Sequence, residues 1–135
     1  HFLGAYFFVS KILGAKFFVA QMQAAILFDA HMQGADLNEA RISSDTDLTA
    51  VIFQGAAVRF VDFTNLAKIS PHFADLFGDG SVTLPKGMGK TDWPAHWPQI
   101  GLVGQVEVDG KQVPRFHHEW RKWQKDPEGY KPPEK

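Results

Sequence analysis

Six histidines, fifteen carboxylates and no cysteine are the side chains from which this 135-residue chain could build an active centre. Without thiols there is no disulfide, zinc–thiolate site, iron–sulfur cluster or cysteine nucleophile, and the redox compartment stays open. The histidines are His1, His31, His72, His96, His117 and His118. Neighbouring residues on a helix point about 100° apart, so His117 and His118 cannot grip one ion, and no H-E-x-x-H pair occurs. His31 precedes an inward apolar position and is expected to face out. Gly87-Met88-Gly89-Lys90-Thr91 ends like a phosphate-binding loop. Leu84 stands where that motif needs its first glycine, however, and Asp92-Trp93-Pro94 cannot open the helix that would cradle a phosphate. Ser81 follows Gly80 but lacks the second glycine of a nucleophile elbow. Asp45 and Asp47 could pair for acid–base work, yet a turn in a solvated loop suits them better. One enzymatic reading stays open, a centre in the tail built from Asp92, His96 and His117. No catalytic set is complete, so the chain is expected to be non-enzymatic, with no cofactor and no metal.

The elements that must hold these residues follow from composition and spacing. The chain is 44% hydrophobic and 21% charged, with a net charge of −1. That balance excludes a strongly basic nucleic-acid binder and an acidic disordered tail. The length suits one domain with an appendage. No run of eighteen apolar residues occurs, so none spans a bilayer as a helix. No signal peptide is visible, and the start at His1 leads us to expect further sequence upstream.

A five-residue period fills the first half. Small residues stand at Ala5, Ser10, Ala15, Ala20, Ala25, Ala30, Ala35 and Ala40. After one inserted residue near Ser43–Asp45 they continue at Thr46, Val51, Ala56 and Val61. Two residues after each comes a large apolar one: Phe7, Ile12, Phe17, Met22, Leu27, Met32, Leu37, Ile42, Leu48, Phe53, Val58 and Phe63. On a helix this period would spiral around the axis, and on a plain strand it would flip faces at every step. Short extended stretches separated by corners turn each small–large pair inward together.

The segment AKFFVAQMQAAILFDAHMQGADLNEA resembles the pentapeptide-repeat proteins, whose pattern is A-(D/N)-L-x-x, and Gly34-Ala35-Asp36-Leu37-Asn38-Glu39-Ala40 is its cleanest match. The resemblance implies an all-β solenoid, a right-handed quadrilateral β-helix of about three coils over residues 1–65. FGDGSVTLP, PAHWP and EWRKW look like the C-terminal extension of some bacterial members. A short helical cap is expected over residues 66–84, where Phe73, Leu76 and Phe77 take helical spacing after Pro71. Residues 85–135 form a Trp-rich tail: a WPAHWP loop, a hairpin with an Asp109-Gly110 turn, and an amphipathic helix over 115–125. Its four tryptophans should pack together, with residues 125–135 disordered.

The expected function is a non-catalytic interaction scaffold. Its candidate surface is Tyr6, Phe8, Val9, Leu13, Phe18, Ile26 and Phe28, apolar where the family is usually polar. The partner would be another protein, the chain's own upstream part, or a second copy through an exposed N-terminal coil, and not a nucleic acid. One alternative is a DNA mimic that binds gyrase, disfavoured because four basic and six acidic residues leave residues 1–65 at only −2. Another is a membrane-tethered form anchored upstream. The compartment is open, cytoplasmic or membrane-associated.

Overall fold

The computed structural model describes residues 32–42 and 45–135. Left-handed backbone recurs at Gly34, Glu39, Ala50, Gly55 and Phe60, with φ between 54° and 80°. Each is a corner. Glycine takes it freely at 34 and 55, whereas Glu39, Ala50 and Phe60 carry a steric cost of about 1–2 kcal/mol each. Between corners the chain bonds in parallel to backbone about twenty residues ahead. The N–H groups of Met32, Leu37, Gly55 and Phe63 donate to the carbonyls of Ile52, Ala57, Asp75 and Thr83 at 2.8–2.9 Å.

These bonds do not grow into the expected right-handed quadrilateral β-helix. With a corner every fifth residue the straight stretches are too short for ladders. Parallel pairing is confined to β1 (Ala56–Ala57) with β2 (Leu76–Phe77) and to the bridges Asp36–Ala57 and Asp62–Thr83. A nine-residue 3₁₀ helix, Ala67–Asp75, with Pro71 inside, follows. The last third then forms an antiparallel hairpin, β3 (Gln105–Val108) with β4 (Lys111–Pro114), and helix α1 (Arg115–Lys125). The described residues thus form a small mixed α/β domain with two separate two-stranded sheets and no closed or curled sheet. This overturns the all-β solenoid fold and the pentapeptide-repeat assignment. The scaffold function drawn from that family falls with them, as do its gyrase-binding and membrane-tethered alternatives.

The small–large pairs within the described residues are buried together all the same. Ala35 with Leu37, Ala40 with Ile42, Thr46 with Leu48, Val51 with Phe53, Ala56 with Val58 and Val61 with Phe63 are all buried, as is Met32. All but Thr46 join one apolar core, closed by Leu66, Ile69, Phe73, Leu76 and Trp97. A fully buried Phe53 or Phe63 contributes about 1.5–3 kcal/mol. Phe7, Ile12, Phe17, Met22 and Leu27 lie outside the described residues. So do the surface candidates Tyr6, Phe8, Val9, Leu13, Phe18, Ile26 and Phe28, and His31.

The expected helical cap is corrected in one detail. The 3₁₀ helix buries Ile69 and Phe73, but Leu76 is extended (φ −106°, ψ 150°) and opens β2. The pair β1–β2 then divides the interior, because successive strand residues face opposite ways. Ala56 and Leu76 face the first core. Ala57 and Phe77 face a second one, with Leu102, Phe116, Trp120 and Trp123. The i, i+4, i+7 spacing of Phe116, Trp120 and Trp123 gives α1 the stripe that docks there. In the hairpin turn Asp109 (φ 51°) and Gly110 (φ 78°) both take positive φ, as a tight antiparallel reversal requires.

The segment after α1, expected to be disordered, is docked. Tyr130 is half-buried with its ring edge-on to Phe77 at 5.7 Å. Its hydroxyl donates to Glu119 Oε1 at 2.8 Å, and Arg115 Nη2 donates to the Lys135 carbonyl. The Gly129 N–H donates to Asp126 Oδ1 at 3.1 Å and fixes the reversal that sends the chain back along α1.

Candidate functional site

Trp93-Pro94-Ala95-His96-Trp97-Pro98 cannot be helical inside, since each proline lacks an N–H and fixes φ. It folds as a turn, with the Trp97 N–H on the Pro94 carbonyl at 3.0 Å. Trp97 is 1% exposed. Its indole Nε1–H donates to the Leu76 carbonyl at 2.7 Å, and its ring lies 5.0 Å from Phe73. Gly78 makes room for it: a Cβ there would stand 2.9 Å from the indole. His96 Nε2 reaches the same Leu76 carbonyl at 2.6 Å. The carbonyl can only accept, so Nε2 carries the proton. The imidazole stacks on Trp123 at 5.3 Å and 18°, joining the loop to α1. Trp93 meets Trp97 edge-on at 5.7 Å and donates its indole N–H to the Trp97 carbonyl at 2.9 Å.

Asp79 clamps the loop to the stacked turns. It is fully buried. Its Oδ1 accepts the Ser81 N–H at 2.9 Å and the Ser81 hydroxyl, and its Oδ2 accepts the Leu102 N–H at 2.8 Å. Gly80 N donates to the Ile100 carbonyl at 2.9 Å. A Cβ at Gly80 would fall 2.4 Å from the Gln99 carbonyl oxygen, so the two backbones approach as only glycine permits.

These contacts leave a half-open cleft of about 610 Å³. Its lining comes from the Trp93–Ile100 stretch, where Trp93, Pro94 and Ile100 are half-buried and Trp97 and Pro98 are buried, and from Lys131-Pro132-Pro133-Glu134 of the docked segment. Both indole N–H groups are engaged internally. Trp97 is buried, so the cleft offers the ring of half-buried Trp93 rather than indole donors, and its ionisable lining, Lys131 and Glu134, is exposed. Burial, then the hydrogen bond and charge of Glu119, push the Tyr130 hydroxyl far above its usual range, so it stays a donor.

The three residues of the expected tail centre, Asp92, His96 and His117, are each held by a contact of their own. Asp92 Oδ2 accepts the Gly89 N–H at 2.8 Å, His96 holds the Leu76 carbonyl, and His117 Nε2 lies 3.3 Å from Asp36 Oδ2. Each of the three is engaged with a different partner, and they do not converge. Gly89 and Lys90 of the phosphate-loop look-alike sit at a three-residue 3₁₀ turn, Lys90–Asp92, capped by that same carboxylate. Ser81 spends its hydroxyl on Asp79 and accepts from the Phe60 N–H. Asp47 Oδ1 accepts the Thr49 N–H at 2.9 Å, and hydrogen bonds from Thr49 hold its carboxyl below the usual range. Asp45 is exposed. Among the described residues no three His, Asp or Glu side chains stand close enough to hold a metal, and no helix is long and apolar enough to cross a membrane.

Sequence reasoning missed Asp79 and the Tyr130 latch. The signal for Asp79 was present. Asp-x-Asn, Asp-x-Thr and Asp-x-Ser recur at Asp36, Asp47, Asp62 and Asp79, and in each the carboxylate accepts the N–H two residues on, the geometry of an Asx turn.

Two half-buried histidines, His72 and His96, make stability depend on pH. Desolvation holds His96 below its ordinary value of 6.5, against opposing hydrogen bonds with the backbone of Leu76 and Phe73. Desolvation lowers His72 likewise, against the charge of Asp75. A lowered folded-state pKa gives stability that is complete above pH 6.5 and is lost as pH falls, because the unfolded chain takes up protons that the folded one resists. The thermal midpoint is expected to fall steadily from pH 7 to pH 5, with a shallower slope in His96→Phe. Parallel slopes for variant and parent would show that His96 carries none of the dependence.

Set against protein-family models, curated proteins and solved structures, the chain matches none of them.

Proposed function

We propose that this domain is a non-catalytic binding module whose tryptophan–proline cleft takes an extended, proline-rich segment of a protein partner. The observation that carries the reading is a cleft lined by half-buried Trp93, Pro94 and Ile100 together with the proline pair Pro132-Pro133. The volume lies within the range of about 300–1,000 Å³ usual for ligand clefts. A polyproline II segment projects its rings with three residues per turn. It docks into aromatic-lined grooves at low entropic cost, because proline has already restricted it. With both indole N–H groups spent, recognition rests on burying proline rings against the Trp93 ring, which contributes about 25 cal/mol per Å² of apolar surface removed from water.

A titration of decaproline followed by tryptophan fluorescence tests this. A saturable change is expected with decaproline and none with a glycine–serine peptide of equal length. Trp93→Ala should weaken binding about tenfold, equivalent to about 1.4 kcal/mol. No saturable response to decaproline would contradict the reading.

A further inference from the structure

Part of the cleft's lining is itself a proline-rich segment, Lys131-Pro132-Pro133-Glu134. Arg115 holds it through the Lys135 carbonyl, and Tyr130 through Glu119. Between these anchors the proline pair presets an extended backbone and removes two N–H donors, so this stretch cannot be zipped into a sheet. At three residues per turn, Lys131 and Glu134 project on the same side of a polyproline II helix, about 9 Å apart along it. Both are exposed, and neither belongs to the His117–Asp36 or the Lys122–Glu119 ion pair.

The pattern plus, proline, proline, minus is its own complement when reversed. Two such segments laid antiparallel place Lys131 of each opposite Glu134 of the other and Pro132 against Pro133. The arrangement also closes by symmetry. With the segment of a second copy between the Trp93–Trp97 loop and the resident segment, the layers run loop, segment, segment, loop. Each cleft is then filled by the other copy's segment. That is an isologous twofold contact, which stops at two copies.

Resting on the proline-binding reading above, we propose that the partner segment is Lys131–Glu134 of a second copy of this chain, so that the cleft is a weak homodimer contact. The rings supply the contact, and the two charge pairs set direction and register. Such exposed pairs are screened by salt.

Sedimentation equilibrium on the intact chain and its charge variants tests this. The parent should self-associate, more weakly at high salt. Lys131→Glu and Glu134→Lys should each weaken association at least about tenfold, since each places like charges opposite one another twice. Mixing the two single variants, or combining both changes in one chain, should restore it, because opposite charges then face again. A parent that stays monomeric, or single variants that associate as the parent does, would overturn the proposal. Decaproline binding to Lys131→Glu separates the two readings. If the neutral peptide still binds while the parent never self-associates, only the dimer is wrong. If the peptide fails to bind, both fall.

Discussion

Trp97→Ala is expected to destabilise the domain by about 3–5 kcal/mol, the range for removing a large aromatic side chain from a packed interior. Trp97 is the largest fully buried side chain of the described residues and belongs to the first core. Its indole covers Gly78 and packs on Phe73, and its N–H satisfies the Leu76 carbonyl. Truncation leaves a cavity at the point where the loop docks, and it removes one of two donors from that carbonyl. Domains of this size are stable by about 5–15 kcal/mol in total, so the thermal midpoint should fall by roughly 10 °C or more. Trp97→Phe keeps most of the ring and loses the N–H, and should cost about 1–2 kcal/mol by comparison. Thermal melts followed by circular dichroism give both values. A loss below about 1 kcal/mol for the alanine variant would show that Trp97 does not brace the loop.

Asp79→Ala should be nearly as damaging without removing any apolar surface. The carboxylate is buried and accepts three hydrogen bonds, two from Ser81 and one from Leu102. Its removal strands the buried Leu102 N–H, and a buried unsatisfied donor costs about 1–3 kcal/mol. With the Ser81 bonds lost as well, a total of about 3 kcal/mol is expected. The effect should also be local. Amide exchange at Leu102 and Gly80 should quicken far more than at Leu37, whose N–H bonds to Ala57 within the first core. Uniform acceleration across both groups would mean that Asp79 supports the whole domain rather than the clamp.

What the sequence disclosed, and what it hid, follows the range of the interactions. The small–large pairs were visible because each is two residues long and each member is apolar. Leu37, Phe53, Val58 and Phe63 are buried, in a mixed α/β core rather than along the axis of a square coil. The step from those pairs to a continuous β-helix went astray because it assumed that every edge would be a strand. Left-handed corners at Glu39, Ala50 and Phe60 leave most edges with single bridges. Phe116, Trp120 and Trp123 recur at helical spacing, and α1 buries all three. Hidden were contacts between residues far apart in the chain. Nothing local marks Asp79 as the acceptor for Leu102, twenty-three residues on. Composition misled for residues 125–135, where charge and proline suggested disorder. One half-buried tyrosine on a buried glutamate docks the segment instead and brings it into the lining of the cleft.

The most direct measurement is a two-dimensional NMR titration with decaproline, read at two indoles of the same protein. Trp93 lines the cleft. Trp120 lies in the second core with its N–H on the Gly55 carbonyl at 2.8 Å. Saturable shifts of the Trp93 indole and of the Ile100 and Lys131 amides, with Trp120 unmoved, are expected if the cleft grips proline rings. A still Trp93 signal at a large excess of peptide, or equal shifts at both indoles, would contradict it.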